Sequence, residues 1–433
     1  MLMRFRTSFT AYFSNKNTAR FFLLAVFICS LVCSGIYLYF FRNIGPAEHQ
    51  VPGTDYVIRY EPLAKSLLAG KGMGLGPEDQ ATSTPGYPLI LFALFIIAKV
   101  VGISELTVIV VANIVMTALS VCFLFLIAQM IFNRNIALIA AFLWSIYPLN
   151  LWLIKNPNTE VPFILLFYIC LWLTIKSIKE QNPGRMVIVG LLIGFALLIR
   201  PFGLFLPLLF LVSFWLVRHI QPLQVKNLSV RYGVLFIIGC LFTTTPWIWY
   251  ASLKIGHFIP LSSLGPTAIT VGLSYAYVGN GQHQQDVSVD VRALMGRVRA
   301  TSLQSGKDIA RFLAGELIQH PLTLIKLLGL KLIRSWYATY GMWWEKEIAL
   351  LQIPFLISGL AGIYMSCKKF ARSIPWIYSL LLFILYFWAM TFVGLSIVRY
   401  MLPVMGFIMI FAALAINEFL KRHAFTPEKC FLD

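Results

Sequence analysis

The chain has 433 residues, of which 59% are hydrophobic and only 12% charged, with a mean hydropathy of +0.79. A soluble domain of this composition would leave far too much apolar surface in water, so the chain reads as an all-α polytopic membrane protein. The net charge of +18 comes from bases scattered between hydrophobic runs, which argues for membrane topology and against a nucleic-acid stripe.

A basic leader, 1–20, precedes the first apolar run at 21–41, which is too long for a signal peptide and has no small-residue cleavage site. A helical span needs about 20 apolar residues. Further candidate spans lie at 105–131, 136–151, 160–175, 186–199, 202–217, 232–250, 350–366, 374–394 and 400–418, making ten in all. A short tail, 419–433, closes the chain, and no internal repeat or linker divides the membrane domain 21–418. The run 86–101 decides the sidedness of everything after it. If it lies in the interface without crossing, the basic segments around Arg134, Lys176, Arg185, Arg218, Arg231, Lys368 and Lys421 share the inner side with the leader. If it crosses, that pattern inverts. The expectation is therefore an interfacial helix, with both termini cytosolic and two large outer segments, 42–104 and 251–349. Most carboxylates, including Asp55, Glu61, Glu160, Asp290 and Glu345, then fall on the outer face. Residues 320–348 read as a second interfacial helix, because Lys326, Lys331 and Arg334 interrupt the apolar stretch. The seven cysteines lie in spans or at cytosolic ends, so no disulfide and no structural zinc site is expected.

No P-loop, GxGxxG, GxSxG or HExxH motif is present. The chemistry must come from outer-face acids beside outer-face bases. Thr54 can cap a short helix on which Asp55 and Arg59 share a face at i, i+4, and the Asp55 carboxylate could deprotonate an arriving hydroxyl. A solvated Asp55–Arg59 pair is the plain alternative. Glu160 starts a span two residues before Pro162, as a second acid facing the cavity or as a first-turn glutamate favoured by the helix dipole. Arg200 is the one charge between two short apolar runs and suits a phosphate through its planar fork, or snorkels to headgroups. Arg399 and Tyr400 admit the same two readings. Lys331 and Arg334 are weaker phosphate candidates, and His257 follows its span by a short loop. Bases for an anionic lipid phosphate beside acids that activate a nucleophile describe group transfer from a lipid phosphate.

The order of motifs resembles the GT-C glycosyltransferases, in particular the bacterial branch similar to protein O-mannosyltransferases and the lipid A aminoarabinose transferase. It is carried by Asp55 with "AKSLLAGKG" (64–72), then "TPGYPLILFALF" (84–95), "FNRNIALIAAFLWSIYP" (132–148) and "NTEVPFILLF" (158–167). It continues through "GLLIGFALLIRPFGLFLP" (190–207), "TPWIWYASLKIGHFIPLSS" (245–263), "GN" (279–280) and "VRYMLP" (398–403). The resemblance implies a glycosyltransferase that moves one hexosyl or pentosyl unit from a polyprenyl-phosphate donor to a lipid, glycan or protein acceptor. The transfer would take place with inversion on the periplasmic face of the inner membrane. It implies Asp55 as base, Glu160 as second acid and Arg200 as a donor-phosphate contact, and Arg59, Lys331, Arg334 and Arg399 are further candidates for that phosphate. Tyr56, Tyr87, Lys254, His257, Asn280 and Tyr400 would line the substrate cavity. Tyr56 stands where relatives carry a second acid, and Ile248-Trp249-Tyr250 where an Arg-Asn pair is common. Without a dense carboxylate cluster, no cofactor is expected. A divalent Mg or Mn ion on Asp55 and Glu160 is the alternative, since oligosaccharyltransferase relatives use a metal. Competing readings are a transporter or flippase of lipid-linked glycans, which the scarcity of charges inside the spans disfavours. A polymerase or ligase using Arg292, Arg297, Arg299 and Arg311 is another.

Overall fold

The computed structural model describes residues 16–42, 53, 55–73, 83–220, 230–274, 287–301, 303–339, 344–370 and 373–423. The described residues are helical, without strands. In chain order the helices are α1 (Lys16–Phe41), α2 (Glu61–Leu68), α3 (Gly86–Val101), α4 (Glu105–Ile131), α5 (Arg134–Ile146) and α6 (Pro148–Trp152). They continue with α7 (Glu160–Lys179), α8 (Arg185–Ile199), α9 (Leu206–Ile220), α10 (Arg231–Ile255), α11 (Gly265–Ser274) and α12 (Val289–Ala300). The last are α13 (Gly306–Gln319), α14 (Pro321–Arg334), α15 (Glu345–Lys369), α16 (Ile374–Val393) and α17 (Leu402–His423).

Eight helices among the described residues are long and apolar enough to cross a membrane: α1, α4, α7, α9 with its preceding turn, α10, α15, α16 and α17. The ninth expected span is the pair 134–146 and 148–155, bent by 48°. Pro148 causes the break, because a residue before proline is pushed out of the α region, and Tyr147 accordingly lies at ψ 114°. Asparagines satisfy carbonyls around the bend: Asn150 Nδ2 donates to Trp144 at 3.2 Å, and Asn113 Nδ2 to Ile154 and Asn156 at 3.4 and 3.1 Å. The tenth, α8, is apolar but has only 15 residues.

Small residues let neighbouring helices approach closely. A Cβ on Gly190 would lie 2.1 Å from the Phe236 carbonyl, and one on Gly239 2.3 Å from that of Val187, so α8 and α10 meet backbone to backbone. Gly362 does the same for α15 against Phe411 of α17. Helix α17 is the axis of the bundle, with residues 404–414 buried throughout.

The spans run alternately between two ends. At one, Ser373 Oγ donates to the Ile131 carbonyl at 2.5 Å, Lys179 Nζ donates to Met130 at 2.6 Å, and Lys369 and Lys421 pair with Glu418. At the other lie the starts of α7 and α17, the end of α8, and both ends of α3. Gly86, at the start of α3, packs against the backbone of Leu198 and Ile199, while Gly102 at its end leads within three residues into α4. That start of α4 stands beside the 56–61 segment. Thus α3 leaves and returns to one end of the bundle. Over the same end, α11 to α14 share a small core built on Leu273, Val291, Leu294, Met295 and Leu327, tied by a bidentate Arg297–Glu316 pair at 2.7 Å. The expected interfacial helix 320–348 stops at Arg334, and Glu345 opens the next span after Trp344 in left-handed backbone, φ 57°. Arg334, at the end of α14, pairs with Glu345 at 2.6 Å.

Candidate active site

Two turns and one helix start converge at this end. Helix α7 begins at Glu160, where Asn158 Oδ1 accepts from the Val161 amide at 3.0 Å and the helix dipole favours a carboxylate. Pro201 forces Arg200 out of α8 into extended backbone, φ −138° and ψ 102°, which turns the chain at the arginine. Tyr386 of α16 braces that turn, its hydroxyl donating to the Phe202 carbonyl at 2.8 Å. Arg399 lies in the short turn Val398–Met401, held by the Val398 amide donating to the Ala338 carbonyl at 2.8 Å.

These segments place one carboxylate between two guanidiniums. The Glu160 side chain is 1% exposed. Arg399 grips it with two parallel bonds, Nε to Oε1 and Nη2 to Oε2, the latter at 2.8 Å. Arg200 Nη1 stands 2.6 Å from Oε1, in ion-pair contact but outside hydrogen-bond alignment. The Arg200 guanidinium, 8% exposed, lies over the rings of Tyr400 and Phe163 at 5.2 and 6.0 Å. A planar guanidinium carries five N–H donors, more than its contact with one Glu160 oxygen engages, so the buried cation has donors left for an anion.

Asp55 and Arg59 lie on the adjoining segment, whose widened turn Tyr56–Tyr60 leads into α2. Their side chains pair at 3.3 Å, with Asp55 66% exposed and Arg59 half-buried. Asp55 is near enough for its charge to act on Tyr60, Arg399 and Tyr400. Burial and that charge push the Tyr60 phenol up to about 12, so it remains a proton donor at neutral pH. Tyr60 packs edge-on against Tyr87, 5.2 Å between centroids. Burial pushes the Tyr87 phenol well above its ordinary value. A cleft of about 410 Å³ lined by Tyr56, Val57, Glu61, Ser104, Glu105 and Leu106 opens beside this segment.

The remaining expected residues are elsewhere or otherwise engaged. Lys331 Nζ donates to the Gly272 and Gly394 carbonyls, both at 2.8 Å, and Arg334 makes bonds of 2.6 and 2.7 Å to Glu345. His257 lines an apolar groove of about 480 Å³ with Trp249, Leu253 and Phe258 at the end of α10, and Lys254 lies over the Tyr250 ring. Asn280 and Thr54 fall outside the described residues. Tyr60 and Tyr386 were not expected at the site, since nothing local marks a tyrosine as a wedge or a brace. A divalent ion between Asp55 and Glu160 does not fit this donor set, because both Glu160 oxygens face guanidinium groups. Among the described residues, no three His, Cys, Asp or Glu side chains converge.

Residues 83–250, which carry Glu160, Arg200 and the bent span, match the family model described as dolichyl-phosphate-mannose-protein mannosyltransferase. The fold is similar to that of the oligosaccharyltransferase AglB from Archaeoglobus fulgidus, solved with an inhibitory peptide and a dolichol-phosphate. The TM-score is 0.57 at 14% identity, over 93% of this chain and 51% of the archaeal one. The chain has the GT-C fold. The apo form of the Archaeoglobus fulgidus enzyme gives a TM-score of 0.55 at 14% identity over 92% of this chain and 51% of that one. A complex of the enzyme with Zn and sulfate gives 0.54 at 13%, over 92% and 49%. The chain spans about half the length of those enzymes. No curated protein sequence matches it.

Proposed function

We propose that the chain is a glycosyltransferase that moves one sugar from a polyprenyl-phosphate donor to a lipid, glycan or protein acceptor at the periplasmic face of the inner membrane, with inversion and with both termini cytosolic. The observation that carries this reading is Arg200, a buried guanidinium fixed by Glu160 with donor capacity left for an anion. The matched family model and the dolichol-phosphate bound by the archaeal relative support a lipid phosphate as that anion.

In this reading Arg200 and the outer edge of Arg399 hold the donor phosphate. Glu160 contacts no substrate and keeps the two guanidiniums apart and oriented. Asp55 takes the acceptor's hydroxyl proton as the acceptor oxygen bonds to the anomeric carbon. The bond between that carbon and the phosphate oxygen breaks on the opposite face, and the electron pair stays on the departing phosphate. Preorganised guanidiniums stabilise the charge that grows there. An oxocarbenium-like centre makes attack and proton transfer concurrent. No metal enters these steps.

The test uses the purified chain with a polyprenyl-phosphate sugar and an acceptor extract. Asp55→Asn should lower turnover by about 10²–10⁴, the range for a lost general base, while leaving folding intact because its exposed pair with Arg59 is worth only about 0–1 kcal/mol. Wild-type turnover in that variant would remove Asp55 from the mechanism.

A further inference from the structure

Lys331 is expected from sequence to touch the donor phosphate, yet it is 2% exposed and its ammonium faces two backbone carbonyls. Their positions are informative. Gly272 is in the last turn of α11, and Gly394 directly follows α16, its amide closing that helix onto Met390 at 2.9 Å. The last carbonyls of a helix have no partner within it and carry the negative end of its dipole. One ammonium therefore caps two helix ends at once. The approach is tight: a Cβ on Gly272 would stand 2.0 Å from the Gly394 oxygen and 3.1 Å from Lys331 Nζ.

Five residues beyond Gly394 comes Arg399. The intervening Leu395 and Ile397 are buried with Ala338 in a small core that Val271 and Tyr400 complete. Trp388 Nε1 donates to the Leu332 carbonyl at 2.9 Å, so α14 is bound to α16 on the near side of the same seam. Displacing Gly394 therefore moves Arg399 and the ring on which Arg200 rests.

We propose that Lys331 is a positioning residue: by joining the ends of α11 and α16 it holds the 394–399 segment so that Arg399 stays paired with Glu160 in the donor-phosphate site. The proposal rests on the reading of Arg200 and Arg399 as that site. It differs from direct phosphate contact by Lys331 in one respect, that a wedge between Gly272 and Gly394 must have the same effect with the lysine intact.

The experiment uses the full chain in nanodiscs, with hydrogen exchange of the 394–400 peptide and binding of undecaprenyl phosphate as readouts. K331M and G272A should each raise exchange of that peptide at least ten-fold, with peptides from 404–414 unchanged, and weaken undecaprenyl phosphate binding about ten-fold. On an R399Q background neither should weaken binding further. Unchanged exchange in both variants overturns the proposal. So does a K331M binding defect that multiplies in full with that of R399Q, or a G272A variant that binds normally. A wild-type chain that does not bind undecaprenyl phosphate overturns the phosphate-site reading, and the exchange readout then decides the clamp by itself.

Discussion

At the scale of single residues, Glu160 has the most constrained surroundings. Removing its charge takes away the carboxylate that pairs with both guanidiniums, and breaking a buried pair from one side typically costs about 3–5 kcal/mol. Glu160→Gln should therefore lower the melting midpoint of the purified chain sharply, whereas Asp55→Asn should hardly change it. Adding Arg399→Gln to Glu160→Gln should recover part of the loss, because the second change removes one of the stranded cations. A double variant that melts lower than either single would contradict the clasp geometry. Much of this residue-level picture was legible in the sequence: Asp55 with Arg59, Glu160, Arg200 and Arg399 each stood out as a charge at a span end. Their grouping was not. Glu160 and Arg399 are 239 residues apart, and a one-letter string gives no sign that a glutamate is already clasped by two arginines. The basic residues of α14 were misleading for the same reason, because Lys331 turns toward helix carbonyls and Arg334 toward Glu345.

At the scale of elements, apolar runs predicted spans well because a bilayer demands length and little else. All ten expected runs are helical, and the exceptions to regular length have local causes: Pro148 in the bent pair, and for α8 the Arg200-Pro201 turn that ends it at 15 residues. Helix contacts were less legible, because glycines are common in apolar helices and only the fold says which ones touch a neighbour. Gly190 is the sharpest case. Leu in its place would enter the α8–α10 seam where even a Cβ lies 2.1 Å from a carbonyl. Overpacking costs about 1–3 kcal/mol or more, so Gly190→Leu should lower the melting midpoint and broaden the monodisperse peak in size-exclusion chromatography. The same change at Gly296, where an added Cβ meets nothing within 4 Å, should leave both unaltered.

At the scale of the whole molecule, the alternation of the spans puts the candidate site at one end and the lysines around Glu418 at the other. The proposed orientation predicts which end a membrane-impermeant maleimide reaches. In intact spheroplasts, Val57→Cys should gain label over the unsubstituted chain, since Val57 is exposed beside the cleft. Cys367, exposed at the far end of α15, should take label only after the membrane is opened. Labelling in the reverse order would invert the proposed topology.

The site combines two carboxylates, Asp55 and Glu160, with three guanidiniums, Arg59, Arg200 and Arg399, and so carries one surplus positive charge. In the proposed transfer a donor phosphodiester brings one negative charge and cancels it. After transfer, the phosphate left on the lipid is a monoester with close to two negative charges at neutral pH. In the same proposed step Asp55 takes up the acceptor's proton, which raises the site's own charge to two. The proposed site thus stays near neutrality before and after the bond is exchanged. In that reading the exposed position of Asp55 lets its proton escape to water first, leaving one negative charge in excess and favouring departure of the spent lipid phosphate.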